Sequence, residues 1–135
     1  MEINFRIAVK AFIVDNLNNI LLIKRRSNDV HKPGVWDIPG GRLQLGEDPY
    51  SGLKREAKEE VNLNIDIIAP LHVQHFTRDD GQNITMLIFL CKTLDNEIKL
   101  SEEHTNFNWT KINDNLIPDW LKKPCENFQK YFIKN

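Results

Sequence analysis

Three glutamates, Glu56, Glu59 and Glu60, fall within five consecutive residues, and Glu47 precedes them closely. On a helix Glu56 and Glu60 lie one turn apart with Glu59 between them on the wheel, so three carboxylates share one face. Crowding them costs energy if nothing binds there. Two carboxylates about 6 Å apart repel by about 3 kcal/mol at an effective dielectric near 20. A hard cation such as Mg²⁺ would relieve that cost, because it binds clustered oxygens and completes its octahedron with waters and substrate phosphates. The plain alternative is a solvated acidic face balanced by Lys54, Arg55 and Lys58. The glutamates by themselves leave both readings open.

The element that carries them starts clearly. Asp48 followed by Pro49 is a strong helix start, since Asp caps orphan amides and Pro is tolerated at the first helical position. Tyr50, Leu53, Ala57 and Val61 then recur at spacings of three and four, which predicts an apolar stripe facing a core. Asn62 is the expected stop, because Asn tolerates the left-handed conformation that ends many helices. The approach runs Trp36-Asp37-Ile38-Pro39-Gly40-Gly41. A glycine pair after proline permits backbone conformations closed to other residues and lets a carbonyl turn toward a metal or ligand.

Gly41, Glu47, Arg55, Glu56, Ala57, Glu59, Glu60 and Leu63 stand at the spacings of a known signature. It reads Gly, five residues, Glu, seven residues, then Arg-Glu-aliphatic-x-Glu-Glu-x-Gly-aliphatic. The stretch Gly41–Leu63 therefore resembles the box of the Nudix hydrolases, with one departure, Asn62 where that family has Gly. The resemblance implies a Nudix-type α/β/α sandwich of the α/β (α+β) class, with a mixed sheet and the box as loop-helix-loop at one sheet edge. It implies that Glu56, Glu59 and Glu60, helped by the Gly40 carbonyl, hold one or more Mg²⁺ or Mn²⁺ ions. Glu47 and Arg55 would tie the loop to the helix as an ion pair, with Gly41 part of the same framework and close to substrate. The implied reaction is hydrolysis of a nucleoside diphosphate linked to a group X. In that family the general base is a box glutamate or an acidic residue on a later loop. Glu103, six residues before Trp109, is the candidate for the distal acid, with Glu102 second.

The rest of the chain supplies the frame. Residues 5–14 and 20–23 read as strands joined by the turn 15–19, a hairpin. Lys24, Arg25 and Arg26 follow directly. They are either a solvated strand end or a cationic rim for phosphates, with Arg25 and Arg26 the candidates for substrate contact. Val35–Ile38 reads as a short strand. Ile65–Ile68 and Leu71–Phe76 are β-rich with Pro70 as a break, and Asp80-Gly81 marks a hairpin turn before the apolar strand Ile84–Cys91. Phe107 and Trp109 alternate in a last strand. Leu121, Cys125, Phe128 and Phe132 predict a C-terminal amphipathic helix whose approach Pro118 and Pro124 break. His72 and His75 read as ordinary strand positions and His104 as a surface histidine. Trp36, Phe76 and Trp109 could stack on a base, with core packing the stronger reading of each; Phe76 is the candidate substrate contact.

Length and composition bound the function. The 135 residues fit one domain, 1–135, with a formal charge of −1 that gives no polyanion-binding signal. Cys91 and Cys125 lack a zinc spacing and suggest reduced thiols in a cytoplasmic protein. No apolar run approaches membrane-spanning length, and no signal-peptide pattern opens the chain. The expected partner is a small nucleotide, with no stable nucleic-acid complex, no membrane, and a monomer or homodimer. Compactness favours nucleoside triphosphates. ADP-ribose or nucleotide sugars, RNA 5′-pyrophosphate and a non-catalytic nucleotide-sensing module are the alternatives.

Overall fold

The computed structural model describes residues 4–133. Strand β1 (Phe5–Val14) lies parallel to β6 (Asn83–Thr93), in register from Phe5↔Asn83 to Val14↔Lys92. On its far side β6 runs antiparallel to the edge strand β5 (Ile65–Thr77). The other edge of β1 meets β2 (Ile20–Arg25) only at Val14↔Ile20, closing the expected turn. Beyond that pair the two strands diverge, and the segment bearing the glycine pair fills the fork. β3 (Trp36–Asp37) runs antiparallel to β2, and β4 (Gly40–Arg42) runs antiparallel to β1 through Lys10↔Gly40 and Val9↔Gly41. β7 (His104–Thr110) pairs antiparallel with β2. The sheet is thus mixed.

Alternation along β1 sorts the two cores. Val9, Ala11 and Ile13 pack with Leu53, Ala57 and Val61 of helix α1 (Pro49–Val61). Ala8, Phe12 and Val14 pack with Leu121, Cys125 and Phe128, the last two on helix α2 (Lys122–Phe132), which a 3-10 turn Asp119–Leu121 precedes. Phe12 and Phe128 meet with ring centroids 5.4 Å apart. One helix per face makes the α/β/α sandwich, and β6, with apolar residues on both faces, is buried as expected.

Helix α1 begins and ends where its sequence directs. The Asp48 carboxylate accepts from the Ser51 amide at 3.0 Å, Pro49 opens the first turn, and Asn62 caps the end at φ 60°, ψ 30°. Tyr50 departs from the buried stripe: it is half exposed and its ring leans on Phe89, centroids 5.3 Å apart.

Three expectations about the frame need correction. Pro70 does not break β5, which runs unbroken from Ile65 to Thr77. The strand is at the sheet edge, where a missing amide costs little, and irregular pairing at Ile67/Ala69 and Pro70/His72 absorbs the misfit. Pro124 lies inside the first turn of α2, where its amide would have no partner anyway, so only Pro118 stands outside the helical segment. Phe132 is partly exposed and adds little to the α2 stripe. No helix among the described residues is long and apolar enough to cross a membrane.

Candidate active site

The box is organised by one guanidinium. Arg55 donates Nε and Nη2 to the two Glu47 oxygens at 2.7 and 2.8 Å, a bidentate pair that joins the loop to the helix. Its Nη1 reaches Glu56 Oε1 at 3.1 Å and Glu59 Oε2 at 3.2 Å. Glu47 also accepts from the Gln44 amide, and these bonds, the Arg55 pair foremost, pull its carboxyl down to about 2. The glycine pair explains itself by distance. A Cβ on Gly40 would lie 2.0 Å from the Val9 carbonyl oxygen, and its φ is +146°. A Cβ on Gly41 would lie 2.8 Å from Glu56 Oε1. At position 40 the backbone leaves room for glycine alone, whereas a side chain at position 41 would push the Glu56 carboxylate aside.

Behind the box lies a buried charge cluster. Glu60 is 9% exposed, and burial, reinforced by Glu56, pushes its carboxyl up to about 8 even with the Lys10 ammonium opposing. Lys10 and Asp37 are still deeper, at 5% and 2% exposure. Lys10 Nζ donates to Asp37 Oδ2 at 3.3 Å and to the Ile38 carbonyl at 3.2 Å. Burial alone would raise the Asp37 carboxyl, but Lys10, Lys32, the Ile38 amide and Arg25 together outweigh it and keep Asp37 ionised.

In front of the box opens a cleft of about 620 Å³. Glu56, Glu60, Gly40 and Gly41 form one side, with Arg25, Arg26, Phe76 and Glu103 also on its lining. Nine residues separate Glu103 from Thr93, yet its position is tightly set. The Ser101 and Lys99 amides donate to the Glu60 and Val61 carbonyls at 3.0 and 3.1 Å, clipping the loop to the end of α1, and the Arg26 amide donates to the Glu103 carbonyl at 2.9 Å. Glu59 is outside this lining, largely exposed and held by Arg55, and Glu102 is exposed and likewise absent from it. Phe76 both packs against the core and lines the cleft, whereas Trp36 and Trp109 are packing residues. His75 bonds Thr85 across the sheet and His72 faces Asn127 on α2, ordinary strand roles.

His104 corrects the surface reading. It is buried beside Arg25 with Nδ1 unpartnered, and burial followed by the Arg25 charge holds it below the ordinary histidine range. Lys10, Lys32, Asp37, Arg42 and Arg78, which no motif in the sequence singles out, also lie at or beneath this cleft. A signal for Lys10 existed: it stands between Ala8 and Phe12 at the two-residue spacing of Ala8, Phe12 and Val14, so alternation places it on a core-facing side.

The donor set suits a hard divalent cation. Glu56 and Glu60 offer carboxylate oxygens side by side on the cleft lining, and burial with the neighbouring Glu56 raises the Glu60 carboxyl, a cost that a cation would relieve. Among the described residues no three acidic, histidine or cysteine side chains converge closely enough to enclose an ion by themselves, so waters and substrate oxygens would complete its shell.

The NUDIX domain family model matches residues 4–135. The chain belongs to the Nudix hydrolase family. A MutT-like protein of Streptomyces ambofaciens is 30% identical over 113 residues, covering 84% of this chain and 64% of the relative. The 8-oxo-dGTP diphosphatase of Escherichia coli K12 is 29% identical over 96 residues, covering 68% of this chain and 70% of the relative. The chain spans 39% and 40% of Nudix hydrolases 7 and 5 of Arabidopsis thaliana, so some of these Nudix relatives are much longer. Among solved structures, the MutT protein of Methanosarcina mazei superposes with a TM-score of 0.85 at 24% identity over 99% of each chain.

Proposed function

We propose that this protein is a Mg²⁺-dependent pyrophosphohydrolase of free nucleotides, with nucleoside triphosphates as the leading substrates. One observation carries the reading: Glu56, Glu60 and Glu103 line the same cleft as Arg25, Arg26, Lys32 and Arg42. Acids able to hold a cation and a base thus face cations able to hold phosphates. Glu56, Glu59, Glu60 and the Gly40 carbonyl would hold Mg²⁺. When bound, the cation would neutralise phosphate oxygens and acidify the attacking water. The chain's own residues do the rest. Arg25 and Arg26 orient the phosphate chain, and Arg55 keeps Glu56 and Glu59 in place. Glu103, exposed on its clipped loop, accepts the proton of the attacking water. Phe76, Ile84 and Met86 offer an apolar wall for the nucleoside. Relatives named as an 8-oxo-dGTP diphosphatase and as nucleoside triphosphatases support the triphosphate preference.

The test is phosphate and pyrophosphate release from canonical and oxidised nucleoside triphosphates, ADP-ribose, nucleotide sugars, dinucleoside polyphosphates and triphosphorylated RNA, with and without Mg²⁺. Metal-dependent turnover of triphosphates is expected. Preferred turnover of ADP-ribose, sugars or RNA would redirect the assignment, and binding without turnover of any member would make this a sensing module.

A further inference from the structure

A buried anion beneath an anion-binding cleft is electrostatically wrong unless it serves the cations around it. Asp37 is such an anion. It sits on β3 in the fork between β1 and β2, 2% exposed, with Oδ1 accepting from the Ile38 amide at 2.8 Å. Its Oδ2 is shared by two cations of the cleft lining, Lys10 Nζ at 3.3 Å and Arg25 Nε at 3.6 Å. Arg25 is held a second time, with Nη1 donating to Asp29 Oδ2 at 3.2 Å. Asp29 is itself fixed, accepting from the His31 and Lys32 amides at 2.9 and 2.8 Å. Arg25 Nε, buried on the Asp37 side, takes no hydrogen bond among the described residues, so the Asp37 contact is an ion pair and leaves that donor for a bridging water or ligand oxygen. Lys10 and Arg25 carry like charges and would part if the oxygen between them were neutral.

We propose that Asp37 is a positioning residue for polyphosphate: it gathers Lys10 and Arg25 on one buried oxygen and thereby aims the Arg25 guanidinium into the cleft. The inference rests on the reading of this cleft as a polyphosphate site. It concerns binding alone, before any metal or chemistry.

Charge and geometry make opposite demands, which gives the test its sign. Asp37→Asn adds one positive charge at the cleft, so a purely electrostatic role would tighten anion binding. Loss of orientation weakens it. The measurement is calorimetric binding of inorganic tripolyphosphate to the full chain in EDTA, with Mn²⁺ affinity by electron paramagnetic resonance in parallel. Wild type is expected to bind, and Asp37→Asn to bind at least about tenfold more weakly, the scale of loss for a misdirected contact. Mn²⁺ affinity should stay within about twofold, and Asp37→Glu should recover part of the loss, since it restores the carboxylate. Should Asp37→Asn not fold, Asp37→Ser, which removes the same charge and keeps every cation of the lining, is expected to show the same weakening. Unchanged or tighter tripolyphosphate binding in either folded variant overturns the proposal. So does absence of binding by wild type, or a loss of Mn²⁺ affinity as large as the loss for tripolyphosphate. Turnover is not read here, so a protein that binds in this manner yet hydrolyses nothing would refute the proposed activity and leave the role of Asp37 standing.

Discussion

Glu60 is the residue whose state decides the most. Its carboxyl, raised from 4.5 to about 8 mainly by burial, keeps a proton in the metal-free folded protein that the unfolded chain has already released. The stabilisation this gives is complete below pH 4.5 and disappears as pH rises through about 8. A cation must displace that proton, so metal binding strengthens with pH over the same window. Thermal denaturation from pH 5 to 9 should show the metal-free protein losing stability toward alkaline pH and the Mg²⁺-induced increase growing. Glu60→Gln should flatten both trends; if it leaves them unaltered, another group controls them. Arg55 makes a second prediction at this scale. Its fork holds three carboxylates, and lysine cannot copy that geometry. Arg55→Lys is expected to weaken Mn²⁺ binding by about tenfold or more, the usual loss when the group orienting metal ligands is removed. An affinity equal to wild type would mean that Glu56 and Glu59 need no such support.

At the scale of elements, the fork between β1 and β2 and the C-terminal end of α1 fix the site. Gly41→Ala would drive a methyl into Glu56, 2.8 Å from Oε1, so activity should fall much further than stability. Asn62 makes the contrasting case. It occupies the left-handed region at φ 60°, so Asn62→Ala should cost about 1–2 kcal/mol in chemical denaturation, whereas Asn62→Gly should be near neutral. Equal stabilities for the two variants would refute the conformational account of that cap. The α1 segment was readable from sequence because its signals are local: Asp48-Pro49 starts it, a three-four stripe sides it, and Asn62 stops it. Pro70 misled because a proline is a break in a central strand and harmless at an edge, and edge status depends on partners far along the chain. The same reason hid the pairing of β1 with β6, and with it the burial of His104 and the convergence of Lys10, Arg25 and Asp37. Spacing revealed which residues could act, and only the sheet order revealed what they act beside.

At the scale of the molecule, two apolar cores on opposite sheet faces separate stability from chemistry. Phe128 is buried on the α2 side and absent from the cleft lining, so Phe128→Ala should cost about 3–5 kcal/mol while the remaining folded protein turns over normally. A specific-activity loss in fully folded Phe128→Ala protein would show that the α2 core also tunes the site. Hydrolysis at this cleft requires the carboxylates of α1 to act through a divalent cation. The most direct measurement is turnover of the best nucleoside triphosphate by wild type and Glu60→Gln across a Mg²⁺ titration, with melting temperature recorded on the same samples. Turnover by wild type only with Mg²⁺, and a loss on the order of a hundredfold in Glu60→Gln whose melting temperature without metal is no lower than that of wild type, is the expected result. Turnover by Glu60→Gln within about threefold of wild type, far short of the loss expected for a group that stabilises developing charge, would contradict it.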